Sequence, residues 1–346
     1  MKRSRFLLTT LFALPFALCC VAQDRDETPY DTKTFSGNYS NVRVETSGGS
    51  IAVEGGQSGG VKVEMYVRPN NWPSNKLSKE EIADRLQEYD INISTEGNTV
   101  IATAKRKRNE DRDWKRSVSI AFKVYTPRNF ATDLRTSGGS IRLKNLNGNQ
   151  NFATSGGSLH LEEVEGGIRG RTSGGSVHLD RCRKDIDVAT SGGSIHARDS
   201  EGNLDLRTSG GSVELNNLRG KINAHTSGGS VRGDGIQGEL VTGTSGGSVR
   251  IAGVSGSIEA HTSGGGMDVE ITKLGEYVRI SGGPGSVHVR MPLDKGMDLD
   301  ISGNRVDMPL SKFDGNVEKD RVRGRLNGGG IPVRISAGSG SVYVNR

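Results

Sequence analysis

Cysteine is scarce. Of three in 346 residues, Cys19 and Cys20 stand in an apolar N-terminal stretch, and only Cys182 lies beyond it. One remaining thiol cannot build a disulfide framework, so stability has to come from packing. Aromatic residues make up 5% of the chain, and between Thr136 and Gly265 the only one is Phe152. A regular row of aromatic platforms for sugar rings is therefore excluded from that stretch. Past the N-terminus no segment approaches ~18 unbroken apolar residues, which excludes a transmembrane helix there.

The first residues carry the pattern of an export leader. Lys2, Arg3 and Arg5 precede an apolar core from Phe6 to Leu18, and Cys20-Val21-Ala22 supplies small residues before Gln23. We expect a signal peptide over 1–22 and an exported protein: periplasmic, on an outer-membrane surface or extracellular. A lipid anchor on Cys19 or Cys20 is the lesser expectation, because the residue before each is Leu18 or Cys19 rather than a small one. Removing the leader leaves 43 Lys and Arg against 40 Asp and Glu. That near balance gives no affinity for nucleic acid.

Glycine, by contrast, is abundant and periodic. T-S-G-G-S begins at Thr136, Thr154, Thr172, Thr190, Thr208, Thr226 and Thr244, each 18 residues after the last, and T-S-G-G-G follows at Thr262. One further copy stands upstream at Thr46. A fixed period signifies one structural unit stacked many times. Counting from the Thr, positions 6 and 8 are apolar (Val177 and Leu179, Val213 and Leu215), as are positions 15 and 17 (Ile186 and Val188, Leu204 and Leu206). Apolar residues two apart mark a strand with one face buried. Each unit is expected to hold two short strands, at positions 5–9 and about 14–18.

Gly-Gly at positions 3 and 4 is read as a corner with positive φ, at Gly138-Gly139, Gly156-Gly157, Gly174-Gly175, Gly192-Gly193, Gly210-Gly211, Gly228-Gly229 and Gly246-Gly247. A second Gly corner stands at position 13, as at Gly166 and Gly202. Such a unit cannot bury its apolar side alone, whereas stacked units at ~4.8 Å per coil can. The expected fold is all-β, a single-stranded parallel β-solenoid of roughly a dozen coils, about 55–60 Å long at that rise.

The flanks are less regular. Residues 23–135 hold a first coil around Thr46, then the one helical stretch, over 79–89. Ser78 with Glu81 three residues on is a capping box, and Ile82, Leu86 and Tyr89 share a face. Strands are expected over 91–94, 100–104 and 118–125, with a charged hairpin tip between the last two. The regular repeats occupy 136–279. Residues 280–346 are irregular, and Ile280-Ser281-Gly282-Gly283 is read as one more corner on the 18-residue step. The whole of 23–346 is read as one continuous domain, its irregular ends covering the sheet edges of the stack.

Few residues invite a chemical reading. Ser281 in S-G-G-P resembles a protease nucleophile loop, but the earlier S-G-G copies make it one corner among many. No Lys-Ser or Lys-Thr follows the glycines, so no phosphate loop is present, and no Asp follows them for calcium. His160, His178 and His196 fall on position 7, outward, on three successive coils. A metal ladder is the sharper reading, although parallel ligands do not converge, and a surface ladder is the expectation. No cofactor is expected. The Thr of each corner falls inside by alternation, which favours a buried, hydrogen-bonded Thr ladder over an exposed ice-ordering row. Cys182 reads as a buried thiol.

Several motifs together resemble one family. These are an early strand pair around Val42–Val53, the Phe122-Lys123-Val124-Tyr125-Thr126-Pro127 strand leading into Leu134 and the first regular corner, and a tail with Gly328-Gly329-Gly330 before Val333-Arg334-Ile335 and Gly338-Ser339-Gly340-Ser341-Val342. In these the chain resembles the bacterial DUF4097 proteins, which carry an adhesin label. The resemblance implies a β-solenoid at the cell envelope or surface and supplies no catalytic residues. The near-perfect 18-residue step departs from it and looks like local duplication.

The expected function is therefore a non-enzymatic adhesin or envelope scaffold that uses repeated polar ladders to bind a cell-surface polymer, an extracellular polymer or an envelope protein. Two alternatives stand beside it. One is a polysaccharide-acting enzyme with its site on the irregular ends, near Trp72, Trp114, Tyr125 and Tyr277. The other is an envelope-stress sensor holding a membrane partner.

Overall fold

The computed structural model describes residues 28–70, 77–107 and 116–346. The leader with Cys19 and Cys20, both tryptophans and most of the charged tip lie outside them. Nearly everything described is strand, in stacked parallel coils of a β-solenoid of about nine regular turns. Each unit pairs with the next in strict register, Leu159 with Val177 and Ile168 with Ile186, one coil apart. The two expected strands often merge into one bent strand, as in Leu159–Thr172, Val213–Thr226 and Val231–Thr244.

Positions 6, 8, 15 and 17 point inward as their apolar columns require. Val177, Ile195 and Val213 form one buried row, and Ile186, Leu204 and Ile222 another. Fully burying one such side chain contributes roughly 1.5–3 kcal/mol, so the core is a sum of small rows repeated coil after coil.

The corners differ from the sequence reading in an instructive way. Neither glycine of the Gly-Gly pairs, from Gly138-Gly139 to Gly246-Gly247, has positive φ. The chain bends there without needing that conformation. What position 4 needs is room: a Cβ on Gly139, Gly157, Gly175, Gly193, Gly211, Gly229 or Gly247 would sit 2.1–2.2 Å from the carbonyl oxygen of the equivalent glycine one coil back. At Gly156, Gly174, Gly192, Gly210, Gly228 and Gly246, position 3, a Cβ would meet its nearest atom at an ordinary 3.4–3.5 Å.

Left-handed backbone occurs instead at position 13, as expected (Gly166, Gly202, Gly220), and at position 10, which no turn motif announced. Asn145, Glu163, Arg181, Asp199 and Asn217 all have φ of 51–56°, and Gly235 and Gly253 continue the column. Asn, Asp and Gly enter this region at little cost; Glu163 and Arg181 are held there by the register of their neighbours.

Coil order departs from chain order at both ends. Asn41–Thr46 and Ile51–Gly55 form a coil that stacks on 131–147 on one side. On its other side it stacks on Thr99–Arg106 and Val118–Thr126, so the later segment lies outside the earlier one. Tyr89–Glu96 and Val61–Pro69 then add antiparallel strands beyond it. The C-terminus repeats the arrangement. Its last coil, Ile331–Ala337 with Val342–Asn345, inserts between 278–290 and the coil containing Met297–Ser302. Antiparallel Arg321–Leu326 and Phe313–Val317 follow outward. Antiparallel strands at each end interrupt the parallel edge that an open stack would offer to other chains.

Two local expectations are corrected. The helix is Lys79–Leu86, not 79–89. Tyr89 leaves the helical face to open a strand, because its hydroxyl bridges the Val118 backbone, accepting from N–H at 3.0 Å and donating to C=O at 3.1 Å. The Ser78 hydroxyl accepts from the Glu81 N–H, the expected cap, while the Glu81 carboxylate turns forward to Arg85. The 18-residue step also ends earlier than read. His261 pairs with Ser281, a step of 20, because the ladder shifts between Gly256 and Ile258. Ser281 is thus an outward strand residue, and Gly285 takes the position-4 slot, where a Cβ would meet the Gly265 carbonyl at 2.6 Å.

Candidate functional site

The Thr column is buried and bonds to backbone. Each Thr hydroxyl from Thr136 to Thr262 donates to the position-4 carbonyl one coil back at 2.6–2.8 Å. It accepts in turn from its own position-4 N–H, as Thr190 does from Gly193 at 3.2 Å. The position-5 serines continue the lock, the Ser194 N–H donating to Ser176 Oγ at 3.2 Å. The repeated phrase of this sequence is therefore a rivet between coils. It leaves no hydroxyl of the Thr column on the surface.

What the surface offers is columns of outward side chains. His160, His178 and His196 stack with ring centroids 4.8 and 4.9 Å apart and planes within 4°. His196 Nδ1 lies 2.9 Å from a Glu214 carboxylate oxygen on the next coil. Burial, and then the neighbouring charge of the ladder, holds His160 and His178 below the usual imidazole range. Parallel rings keep their nitrogens pointing the same way. Among the described residues no group of three or more His, Cys, Asp or Glu is placed to hold a metal ion.

Beside this column runs a charged web. Arg181, turned outward by its left-handed backbone, meets Asp180, Glu162 and Glu163 at 2.6–3.2 Å, and Arg198 reaches Asp180 at 3.1 Å. Exposed pairs contribute at most about 1 kcal/mol each, so this web sets surface pattern more than stability. On the opposite face Asp187 and Asp205 stack in position 16, each taking an arginine, Arg171 and Arg207. They line a shallow groove of about 190 Å³ with Arg169 and Asp185.

Of the four aromatics named for sugar chemistry, Trp72 and Trp114 lie outside the described residues, and the two tyrosines have partners within the chain. Tyr125 has Lys62 over its ring at 4.1 Å, and Tyr277 has Arg279 at 4.4 Å. The Tyr277 hydroxyl also donates to Glu239, two coils away, at 2.7 Å. Burial and that carboxylate push its pKa up to about 12. Ser281 has His261 as its register neighbour, but the His261 ring lies over Gly243, on the side away from it. That ring sits where a Gly243 Cβ would be, so Ser281 gains no base. Cys182 is buried, and burial raises its thiol to about 11, which keeps it protonated.

Residues 184–345 match the family described as Toastrack DUF4097. The match bears out the resemblance read from sequence over its tail motifs, from Gly328 to Val342; the motifs around Val42–Val53 and Phe122–Pro127 lie outside the matched residues. The DUF4097 match takes in the second half of the regular stack and the inserted last coil. A crystal structure from Clostridium sporogenes ATCC 15579, described as a "putative cell adhesion protein", aligns over 91% of this chain and 97% of its own at 10% identity, with a TM-score of 0.20. Among curated proteins none matches.

Proposed function

We propose that this chain is a non-enzymatic, exported β-solenoid that presents registered polar ladders for binding at the cell envelope. The observation that carries the reading is the outward column of position 7, where Arg142, His160, His178, His196, Glu214 and Arg232 stand on successive coils. A rigid row of polar groups at strand spacing suits a repetitive partner, because each further contact is made at high effective concentration. The DUF4097 match supports an envelope setting through the adhesin label that the family carries.

Protease shaving of intact cells, with immunodetection of this chain, tests the reading. Loss of the chain from intact cells is the expected result. Protection until the envelope is breached removes the adhesin half and leaves a periplasmic scaffold.

A further inference from the structure

The inserted last coil assembles a groove that no continuous stretch of sequence contains. On the outer face, His261, Ser281, Ser336, Ser302 and Arg321 stand side by side on five neighbouring strands. In the regular body this column mixes small and large, with Ala153, Ala189 and Gly243 each beside Arg171, Arg207, His225 or His261, so no two small residues adjoin; here three successive serines leave a trough of about 310 Å³. Ser336 donates to Ser281 at 3.3 Å across its floor.

The wall of the trough is cationic. Arg279, Arg334 and Arg321 line it with two carboxylates, and both carboxylates are already taken: Glu259 by Arg279 and Asp300 by Arg321, each at 3.1 Å. Arg334 is the surplus. It lies exposed between Arg279 and Asp300 in the register and makes no hydrogen bond or ion pair among the described residues. Two guanidiniums on adjacent strands repel each other until an anion bridges them, and guanidinium forks match planar carboxylate and tetrahedral sulfate. The serine hydroxyls add donors and acceptors for a polyhydroxyl partner. Along the stack the serine floor spans three neighbouring strands, with His261 and Arg321 at its two ends.

We propose that this groove binds the carboxylate or sulfate groups of an acidic polysaccharide, with Arg334 as its principal anchor. The choice of a polysaccharide, rather than a free anion, rests on the reading of the chain as an exported binding protein. The groove itself does not.

The test uses the purified full-length chain and three probes: oligogalacturonate, a sulfated heparin oligosaccharide and neutral dextran. Acidic probes should bind and dextran should not, with affinity falling as salt rises. Arg334→Ala should weaken acidic binding about tenfold, the usual scale for a charge-assisted contact. Ser336→Gln, which fills the trough from the solvent side, should do the same, whereas Arg171→Ala on the regular body should leave binding unchanged. Melting curves of each variant should match the parent, which separates lost binding from lost folding. Equal binding by Arg334→Ala, dextran binding as well as the acidic chains do, or competition by inorganic sulfate at the same site with no saccharide bound would each overturn the proposal. Failure of the wider reading looks different. Acidic binding through Arg334 in a chain that cell shaving finds protected keeps the groove and removes the adhesin. Loss of the chain on shaving, with no acidic binding, does the reverse.

Discussion

The regular body and the two ends are built from the same coil but by opposite rules of succession. Between Thr136 and Thr262 each coil lies on the one before it in sequence, and Thr190, Gly193 and Ser194 repeat one set of bonds on every step. At the ends, 41–55 and 331–345 are early and late in the chain yet inside the stack, each overlain by a segment nearer the middle of the sequence. The body shows how cheaply a fold is extended when contacts reach only the nearest neighbour. The ends show what extension cannot supply: a stop, made by folding the chain back over its own terminal coil and finishing with antiparallel strands.

The sharpest way to break the comparison is to change length. Deleting Thr190 to Arg207, one whole unit, should leave a folded, shorter stack by circular dichroism and a cooperative melt. Deleting nine residues from the same unit throws inward columns outward and should give an unfolded or aggregated product. Equal tolerance of both would refute the registered stack. Next in size is truncation after Gly330. In a stack that followed chain order this would remove one dispensable end coil. Here it removes the coil on which Met297–Ser302 is paired, so limited proteolysis should trim the product back to about Arg290.

Within the body, the two glycines of one corner should separate. Gly193→Ala drives a Cβ into the Gly175 carbonyl at 2.2 Å and should cost about 1–3 kcal/mol, the range of overpacking. Gly192→Ala, with its nearest atom at 3.4 Å, should stay within about 0.5 kcal/mol in the same denaturant titration. Thr190→Val keeps the shape but strands the Gly175 carbonyl and the Gly193 N–H; about 1–3 kcal/mol is expected. The smallest effect is at the histidine ladder. Burial and neighbouring charge lower the folded-state affinity of His160 and His178 for a proton, so their stabilising share is complete above the ordinary value of 6.5 and is lost as pH falls below it. The melting temperature should fall more between pH 7 and 5 in the parent than in His178→Gln.

Much of this fold was legible in the sequence because a solenoid writes itself locally. Alternation at Val177, Leu179, Ile186 and Val188 gave the inward rows, and the count of 18 gave the register. The same alternation put Thr190 inside and the histidines on one outward row. The left-handed position 10 was hidden because Glu163 and Arg181 interrupt a column of Asn, Asp and Gly that would otherwise have announced it. The 20-residue step was hidden because Ser281-Gly282-Gly283 imitates the corner two residues too early. Coil order could not be read at all. Every coil shows its neighbour the same apolar rows, so nothing in the period tells 331–345 to insert rather than append. The groove at Arg334 inherits that silence, since its parts meet only through the insertion.

Cysteine cross-linking at that insertion tests the account most directly. Cα atoms on adjacent strands lie ~4.8 Å apart and those two strands away ~9.6 Å, while a disulfide spans at most about 6.8 Å. Under mild oxidation, Ser281→Cys with Ser336→Cys, and Ser336→Cys with Ser302→Cys, should each form an internal bridge, seen as a shift in non-reducing electrophoresis. Ser281→Cys with Ser302→Cys should not. A bridge between 281 and 302, with none from either to 336, would mean that the coils follow chain order and that neither the end architecture nor the groove exists.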